Sequence, residues 1–569
     1  MGHYSHKKRH CHSKCECREL VVGSCKYPTI QSAIDKYCQK HAGCATVVIP
    51  KGVYHESLTL RKLAAAAKDD NTAINNYGLE LVGDNRPLAN MTYLAGGVVD
   101  ILNADFGANE GRVSLANDGL NKILITVAGG DPNLSGSGYG SGDKVLVRGN
   151  DGSWNERSVV SVSGNSVQFS GAGVAVGDLG SGLVFCPCVV VSPSQDKTNL
   201  LNVAGCGVKI KGIWFKNTKA TTVNVCKVNL GRVVVDNCLF DARVATAQYN
   251  VFVDQNSAFG TSTDDNLGSA ITTIGGRIEL LVSGSSYLFG GTQFTTNGAS
   301  VRCFDTTSGS GLVINDGSSM SLNYVQTMNC RFGIEAVIGA TGRLARIFTI
   351  LGFSAVGIAI QRGSNIRFPS DNRYPASVID GLGLNATQTG LQIDNLSNLS
   401  LNGNYEIRNC AVGLFDVRGS SVLLERFATL QFSGNGLDIA TDATSQYGGE
   451  LTNPPSKGSI LLVTASGTLD NAYITQSLDN DSAKIELDFD PSTQVGFSRF
   501  AIYKDKTFCI TDMTGGQNHT ITLNSGAFYG YGFNGETVAT FSGTKGDNIT
   551  FLVLNNDTVI IKGLSGVSP

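Results

Sequence analysis

The chain has 569 residues and carries 44 Lys and Arg against 47 Asp and Glu, so its net charge of −3 gives no case for general nucleic-acid binding. Only 16% of the residues are charged, 41% are hydrophobic and 69 are Gly, which excludes a disordered chain and allows a sizeable core. The sequence contains no run of 18 apolar residues, so it predicts no membrane span. The basic N-terminus lacks the apolar segment of a secretion signal. β-Branched residues bounded by Gly and Asn predict an all-β protein.

Two predicted segments open the chain. Residues 1–20 are rich in His, Lys, Arg and Cys, with almost no apolar residue between them, and are typical of a flexible basic tail. Residues 21–104 are predicted to form an N-terminal cap and the first coils of a β-helix. Within them, Tyr27–Lys40 predicts a helix because apolar residues such as Ile30 and Ile34 recur at helical spacing.

Residues 105–185 predict an inserted antiparallel β module. Alternating apolar segments are joined there by loops of Gly, Ser, Asn and Asp, a pattern typical of hairpins. The strand candidates are Lys122–Val127, Lys144–Arg148, Ser158–Val162 and Ser166–Phe169.

Residues 186–458 are repetitive and predict a parallel β-helix shaft. Five segments share a Gly followed by Ile or Leu, and these glycines recur at intervals of roughly 23 residues, with one longer interval between the second and the third. Such a period with short β segments predicts about twelve stacked coils, with Gly and Asn at tight corners of positive φ. The alignment places the apolar residue after each glycine inside the coil: Ile334, Ile358, Leu391, Leu414 and Leu437.

The repeat is lost in residues 459–569. Alternating strands separated by Gly-rich turns predict a compact antiparallel C-terminal domain, suited to a knob or to trimerisation.

Four segments resemble the pectin-lyase-like superfamily of right-handed parallel β-helices, and pectinesterases in particular. They are TIQSAID at Thr29–Asp35, VVIPKGVYHESLTL at Val47–Leu60, LELVGDN at Leu79–Asn85 and KGIWFKNT at Lys211–Thr218. The resemblance implies the fold, with a helix capping the open end of the coil stack. It does not carry the activity, because the Gln-containing motif expected at 219–227 is missing and no Gln-Asp-Thr motif follows Phe240.

The layout of tail, cap helix and β-helix also resembles β-helix proteins encoded by giant DNA viruses, and Gly535–Lys562 resembles the terminal knob of viral fibre proteins. This resemblance implies a virion surface or fibre component, commonly a homotrimer.

The acidic candidates are few. Asp264 and Asp265 form an adjacent pair that could serve acid/base catalysis or bind Ca²⁺, but Asp-Asp-Asn is also ordinary turn chemistry. Asp236, Asp241 and Asp254 flank the region where the pectinesterase resemblance would put a site, and could form a cluster.

The tail is dense in soft ligands, with Cys11, Cys15 and Cys17 beside His, Lys and Arg. Three interpretations are open: a zinc site, although the C-x₂-C spacing is missing; a solvated tail; and anchoring through interchain disulfides. We favour the disulfides, because a trimeric shaft would hold these thiols at high effective concentration.

These features predict a structural virion surface or fibre protein: an oligomeric β-helix shaft attached by its N-terminal tail, with no catalytic residue, cofactor or metal. Its expected partners are copies of itself, other capsid components and virion or host polysaccharide, and its expected location is the surface of a virion assembled in the host cytoplasm. One rival hypothesis is a polysaccharide lyase, hydrolase or esterase; the other is a glycan-binding adhesin without turnover. An acidic cluster beside a cation on one β-helix face would favour the enzyme.

Overall fold

A computed structural model gives the fold of most of the chain. The described residues are 18–40, 45–61, 79–83, 86, 92–94, 113–119, 121–128, 133–186, 188–191, 199–219, 224–243, 249–254, 257–261, 270–281, 293–295, 300–306, 309–370, 375–384, 386–425, 428–441, 446–448, 460–463, 465–469, 475–480, 482–491, 494–495, 500–501, 503 and 506–569.

The backbone winds through three parallel sheets in a fixed order, one strand per sheet and coil, which defines a parallel β-helix. Sheet one contains Arg18–Val21, Ala45–Val48, Leu79–Val82, Gly207–Lys211, Arg232–Asp236, Ala258–Gly260, Gln293–Thr295, Asn365–Pro369, Asn398–Asn402, Ser421–Leu424 and Gln446–Gly448. Sheet two contains Gly52–His55, Cys188–Val191, Trp214–Lys216, Cys238–Asp241, Ala270–Ile274, Ser300–Phe304, Ser377–Asp380, Asn404–Arg408 and Thr429–Ser433. Two long strands turn the corner and belong to both sheets: Ser319–Met328 and Thr341–Leu351. The predicted fold class, an all-β right-handed parallel β-helix, is confirmed.

Sheet three completes each coil with eleven strands, each paired in parallel with the next: Leu58–Arg61, Asn199–Ala204, Asn224–Asn229, Tyr249–Asp254, Arg277–Leu281, Ser310–Ile314, Phe332–Ala336, Val356–Ile360, Thr389–Ile393, Val412–Asp416 and Leu437–Thr441. The described part of 186–458 holds ten of these strands, fewer than the twelve coils expected. The coils vary in length: the paired positions Ile278 and Leu312 are 34 residues apart, whereas Ile334 and Ile358 are 24 residues apart, so fewer coils fit into the same stretch of chain.

The described residues contain one α-helix, Ile30–Lys40, which covers the first coil as the sequence predicts. Its apolar face buries Ile30 and Ile34 in the main core. Gln31 donates from Nε2 to the Thr59 carbonyl at 3.0 Å and accepts from the Thr59 N–H at 2.8 Å. The Gln31 side chain thereby replaces the strand partner that the first strand of sheet three lacks on this side.

The repeat glycines act inside strands, not at corners. Gly333, Gly357, Gly390 and Gly413 lie in sheet three, and their φ angles are not positive. A Cβ on Gly357 would lie 2.5 Å from the carbonyl oxygen of Gly390 and 2.6 Å from Cγ2 of Ile379. The glycines of the repeat motif are therefore not the ones at the corners: they are required by the close approach of the next coil.

One regular set of left-handed corners lies between sheets three and one. Five successive coils turn there through two consecutive residues of positive φ, and four of the five have Gly second. These pairs are Asp316-Gly317, Ile338-Gly339, Arg362-Gly363, Asn395-Leu396 and Arg418-Gly419.

The predicted interior stack holds for four positions and fails at the fifth. Ile334, Ile358, Leu391 and Leu414 follow one another in register, but Leu414 pairs with Ile439. Leu437 pairs instead with Val412, which faces the C-terminal domain. The Gly436-Leu437 dipeptide imitates the repeat two residues too early, because this coil is longer than the one before it.

The inserted module is an antiparallel sheet placed inside one coil, after Leu79–Val82 of sheet one and before Cys188–Val191 of sheet two. Its strands, in sheet order, are Thr92–Leu94, Gly182–Phe185, Lys144–Arg148, Trp154–Ser163, Ser166–Phe169, Lys122–Val127 and Val113–Asn117, and a short 3₁₀ helix lies at Ser135–Ser137. Thr92–Leu94 belongs to this sheet, so the module begins before the expected boundary at 105.

The C-terminal domain packs two mixed sheets around its own core. One contains Ile460–Val463, Thr475–Leu478, Thr507–Asp512, Asn548–Asn555, Thr558–Ser565, Ala527–Gly530 and Phe533–Glu536. The other contains Gly467–Thr468, Glu486–Phe489, Thr520–Leu523, Val538–Phe541 and Val567–Ser568, and Gln494–Val495 pairs with Phe500–Ala501. The first three strands of each sheet are parallel, so the prediction of a wholly antiparallel domain is wrong. The chain still winds alternately between two sheets before its hairpins begin.

Candidate functional site

The site residues predicted from the sequence fall outside the part of the chain that the structure describes. This holds for Cys11, Cys15 and Cys17 in the tail and for Asp264 and Asp265 in the loop before Ala270. The disulfide and acidic-pair hypotheses stay predictions.

The three aspartates that could have formed a cluster are separated by the fold. Asp236, Asp241 and Asp254 end the strands of sheets one, two and three in a single coil, and all three are buried. Their carboxylates therefore lie on different faces. Asp236 is 3.6 Å from Lys209 Nζ, while Asp241 accepts from Arg243 Nε at 2.9 Å and from its terminal nitrogen at 2.7 Å.

The inserted module covers part of sheet two, at the place where the strand of the KGIWFKNT segment lies. Lys216 ends the strand of the KGIWFKNT segment, and its Nζ lies 2.6 Å from the Glu156 carboxylate of the module. Arg243, held by Asp241, donates to the Trp154 carbonyl at 3.4 Å. Lys216 and Arg243 therefore bind the module, and Lys216 is paired with Glu156 and Asp241 with Arg243.

Asp305 is the centre of a second contact between module and shaft. Its carboxylate accepts from Arg148 at 2.7 and 3.1 Å, from Trp154 Nε1 at 2.5 Å and from Asn329 Nδ2 at 2.7 Å. A buried apolar cluster surrounds Asp305 and joins the module to sheet two. Its members are Leu146, Val184, Cys186, Val189, Val191, Trp214, Leu239, Ile274, Phe304, Met328 and Leu351. The Asp305 carboxylate accepts from four donors beside this apolar cluster, and this hydrogen bonding fixes the position of the module on the shaft.

The Asn-Cys pairs serve the coil corners. Asn329 and Asn409 have φ near 54°, and each side-chain amide donates to the aspartate at the same corner of the preceding coil, Asp305 or Asp380. The following cysteines point into the core, where burial raises the pKa of Cys330 to about 11 and that of Cys410 to about 12. Intervening coils carry other residues at this place, so the two Asn-Cys pairs form no continuous ladder of like side chains.

Sheet three carries a carboxylate pair that the sequence analysis did not find. Glu279 pairs with Val313 and Val313 with Glu335, so the two glutamates project from the same face two coils apart, roughly 9.6 Å along the axis. Arg277 contacts Glu279 at 2.6 Å and donates to the Tyr249 hydroxyl at 2.9 Å. An acidic cluster beside a cation on one face is the arrangement that would favour an enzyme.

The two glutamates of this sheet-three pair differ in environment. Burial is the main cause that raises the pKa of Glu335, and the nearby Glu279 raises it further. A hydrogen bond from Ser310 and the charge of Arg277 lower the pKa but do not cancel the increase. Ionisation of Glu335 is thus harder than that of an exposed carboxyl, while Glu279 is held in an ion pair with Arg277. A difference of this direction between two carboxyls is what glycoside hydrolysis uses.

Sheet one presents the open face of the shaft between residues 319 and 424. Most of its outward positions are hydroxyl, amide or guanidinium groups, including the exposed Thr341, Asn365 and Asn398, and an exposed Leu423 lies at the end of the face. The large aromatic residues Trp214, Tyr324 and Phe415 are at most 1% exposed, so they line no surface groove.

Among the described residues, no helix is long and apolar enough to cross a membrane, and no three His, Cys, Asp or Glu side chains are arranged to hold a metal ion.

No protein-family model matches the chain, and no curated protein matches it. Among solved structures, it is similar to the tailspike gp61 of Pseudomonas phage phi297, with 11% identity over 87% of this chain and 79% of that one and a TM-score of 0.24. It is also similar to the gp54 tailspike of Acinetobacter baumannii bacteriophage AP22, solved with a capsular saccharide, with 10% identity over 86% and 77% and a TM-score of 0.21. A third similar structure is the tailspike gp49 of Pseudomonas phage LKA1, with 12% identity over 78% and 77% and a TM-score of 0.18. The fold assignment itself rests on the strand pairings of this chain.

Proposed function

We propose that the protein is the rigid shaft of a virion surface or fibre structure, attached through its N-terminal tail. The observation that supports this most is the unbroken ladder of eleven parallel strands in sheet three, about 48 Å long at 4.8 Å per strand. Parallel sheets closed around an apolar core make a stiff rod with few open edges.

The proposal includes no catalysis at the pectinesterase-like place. There the module occupies the face that a polysaccharide would have to reach, and its ion pairs with Lys216 and Asp305 hold it down. Trimer formation, assembly in the host cytoplasm, a giant-virus source and capsid partners for the tail belong to the same proposal.

The experiment is the native mass of the purified full-length chain, combined with electron microscopy. We expect a mass three times that of one chain and rods whose shaft is about 50 Å long. Antibodies raised against the protein should label the outside of particles of the source virus. A globular monomer absent from any particle would contradict the proposal.

A second candidate function is glycoside hydrolysis, favoured by the Glu279–Glu335 pair. In this scheme Glu335 acts as general acid on the leaving oxygen, and Glu279, oriented by Arg277, activates water. Two coils separate the backbones of these glutamates by roughly 9.6 Å, which is closer to the wider carboxyl spacing of inverting enzymes, about 6.5–9.5 Å, than to the narrower spacing of retaining ones.

Release of reducing ends from a panel of neutral and acidic polysaccharides tests this second function. E335Q should abolish the release, while E486Q, which changes an exposed glutamate in the C-terminal domain, should leave it intact. Turnover that survives E335Q excludes the pair as its site, and absence of turnover in the parent favours the non-catalytic shaft.

A further inference from the structure

The open face of sheet one carries two arginines in direct register. Arg343 pairs with Arg367 of the next coil, and both side chains are exposed. Ser321 precedes them and Ser400 follows them in the same outward row. Like charges placed opposite each other on neighbouring strands destabilise a sheet unless something neutralises them.

The described part of the chain neutralises only one of the two. Arg367 donates to the Glu425 carboxylate at 3.0 Å, and Glu425 is also held by the Ser400 hydroxyl at 2.5 Å. Arg343 donates from Nε to the Ser321 hydroxyl at 2.8 Å, and no carboxylate of the described residues pairs with it. The exposed Arg362 lies at the corner that leads into the Arg367 strand. The row therefore has a local excess of positive charge.

A second row, parallel to the first, is neutral and able to form hydrogen bonds. It runs through Ser319, Thr341, Asn365, Asn398 and Ser421, one residue per coil. Successive residues in both rows are about 4.8 Å apart along the shaft. A linear polymer lying along the axis would meet guanidinium groups on one side and hydroxyl or amide groups on the other.

These features match an acidic polysaccharide better than any other polymer. Guanidinium forks bind carboxylates in a bidentate manner, and hydroxyl and amide groups bind sugar hydroxyls. The neutral row lacks the exposed aromatic residues on which nucleic-acid bases stack. We infer that the face defined by Ser321, Arg343, Arg367 and Ser400 binds a uronate-containing polysaccharide along the shaft. This binding site goes beyond the proposed role as a shaft and does not depend on the virion location.

The test is calorimetric titration of the full-length protein with hexagalacturonate, with maltohexaose as the neutral control. The parent should bind hexagalacturonate and not maltohexaose. Its affinity for hexagalacturonate should be lower at about 0.15 M salt than at low salt, because the Debye length falls to about 8 Å and the charges are screened. R343Q/R367Q should bind roughly tenfold more weakly, since two exposed ion pairs are lost. R61Q/K562Q removes two positive charges from exposed positions outside this face and should bind like the parent.

Three results would overturn the inference: no binding by the parent, equal binding of the neutral hexamer, or equal losses in both double variants. If R343Q/R367Q unfolds, R343Q alone provides the test, because its partner in the described residues is a single serine hydroxyl. Native mass and particle shape should be unchanged in every variant, so failure of this inference is distinguishable from failure of the shaft proposal.

Discussion

Gly357→Ala tests whether the repeat glycines are required by the distance between coils. The added Cβ would meet the Gly390 carbonyl oxygen at 2.5 Å, Ile379 Cγ2 at 2.6 Å and Phe353 Cε1 at 3.0 Å. Carbon atoms pack at about 3.5–4.0 Å, so the methyl group needs roughly 1 Å of movement. The carbonyl belongs to the next strand of the ladder and the isoleucine to sheet two, so neither yields without shifting a coil.

Overpacking of this kind costs about 1–3 kcal/mol, and the rigid backbone contact points to the upper end. The assay is the thermal midpoint of G357A, with the yield of soluble protein, against two controls. G436A places its Cβ no closer than 3.0 Å to its neighbours, on an exposed glycine outside the ladder, and should lose less. I379L removes Cγ2 at nearly constant volume.

The double variant G357A/I379L separates the two contacts. Its loss should be smaller than the sum of the single losses by at least about 0.5 kcal/mol, because one of the two clashes is gone. A G357A protein that melts with the parent would refute the steric reasoning. It would mean that the coils can separate locally, contrary to the close pairing of Val356–Ile360 with Thr389–Ile393.

Four further predictions concern the core, its charges and the thiols. I439D should prevent soluble folding because it buries an unpaired charge, whereas L437D should stay soluble because Leu437 is only partly buried; an insoluble L437D beside a soluble I439D would favour the register expected from the sequence. The pKa of Glu335 is raised in the folded protein, so the parent should lose stability as the pH rises from about 4.3, the pKa of an unfolded glutamate, through the native pKa. E335Q should therefore have the same melting temperature as the parent near pH 4 and a higher one at higher pH. Native labelling with iodoacetamide should spare the core thiols, because burial raises the pKa of each: Cys226, Cys238, Cys303, Cys330 and Cys410. Non-reducing gels of mature material should show interchain disulfides, and these should vanish when Cys11, Cys15 and Cys17 are all changed to Ser.

The β-helix could be predicted from sequence because its signal is repeated. Each coil must bury apolar residues at fixed places, so apolar residues recur once per coil and can be aligned in the sequence. Examples are Ile334, Ile358, Leu391 and Leu414. The fifth position failed because a local dipeptide, Gly436-Leu437, matches the motif while the coil is longer. A short motif carries no information about the length of the coil, which is known only from the strand pairing.

The parallel strands of the C-terminal domain were missed for a related reason. Thr475 follows its partner Ile460 after less than half the stretch of chain that separates it from its other partner, Cys509. Unequal intervals leave no period to detect, and each strand alternates in the same way whether its neighbour runs parallel or antiparallel.

Surface sites on a β-helix are harder to predict than its core, because two conditions must hold together. Arg343 and Arg367 meet only because of the length of the coil between them, and a coil one residue longer would turn one side chain to the other face. The face must also stay open, which depends on where the chain's own modules dock. Asp305 and Trp154 lie far apart in the sequence, yet their hydrogen bond helps cover sheet two and leave sheet one exposed. A charge pattern at the coil period therefore identifies a candidate row, and only the docking of the module decides whether a polymer can reach it.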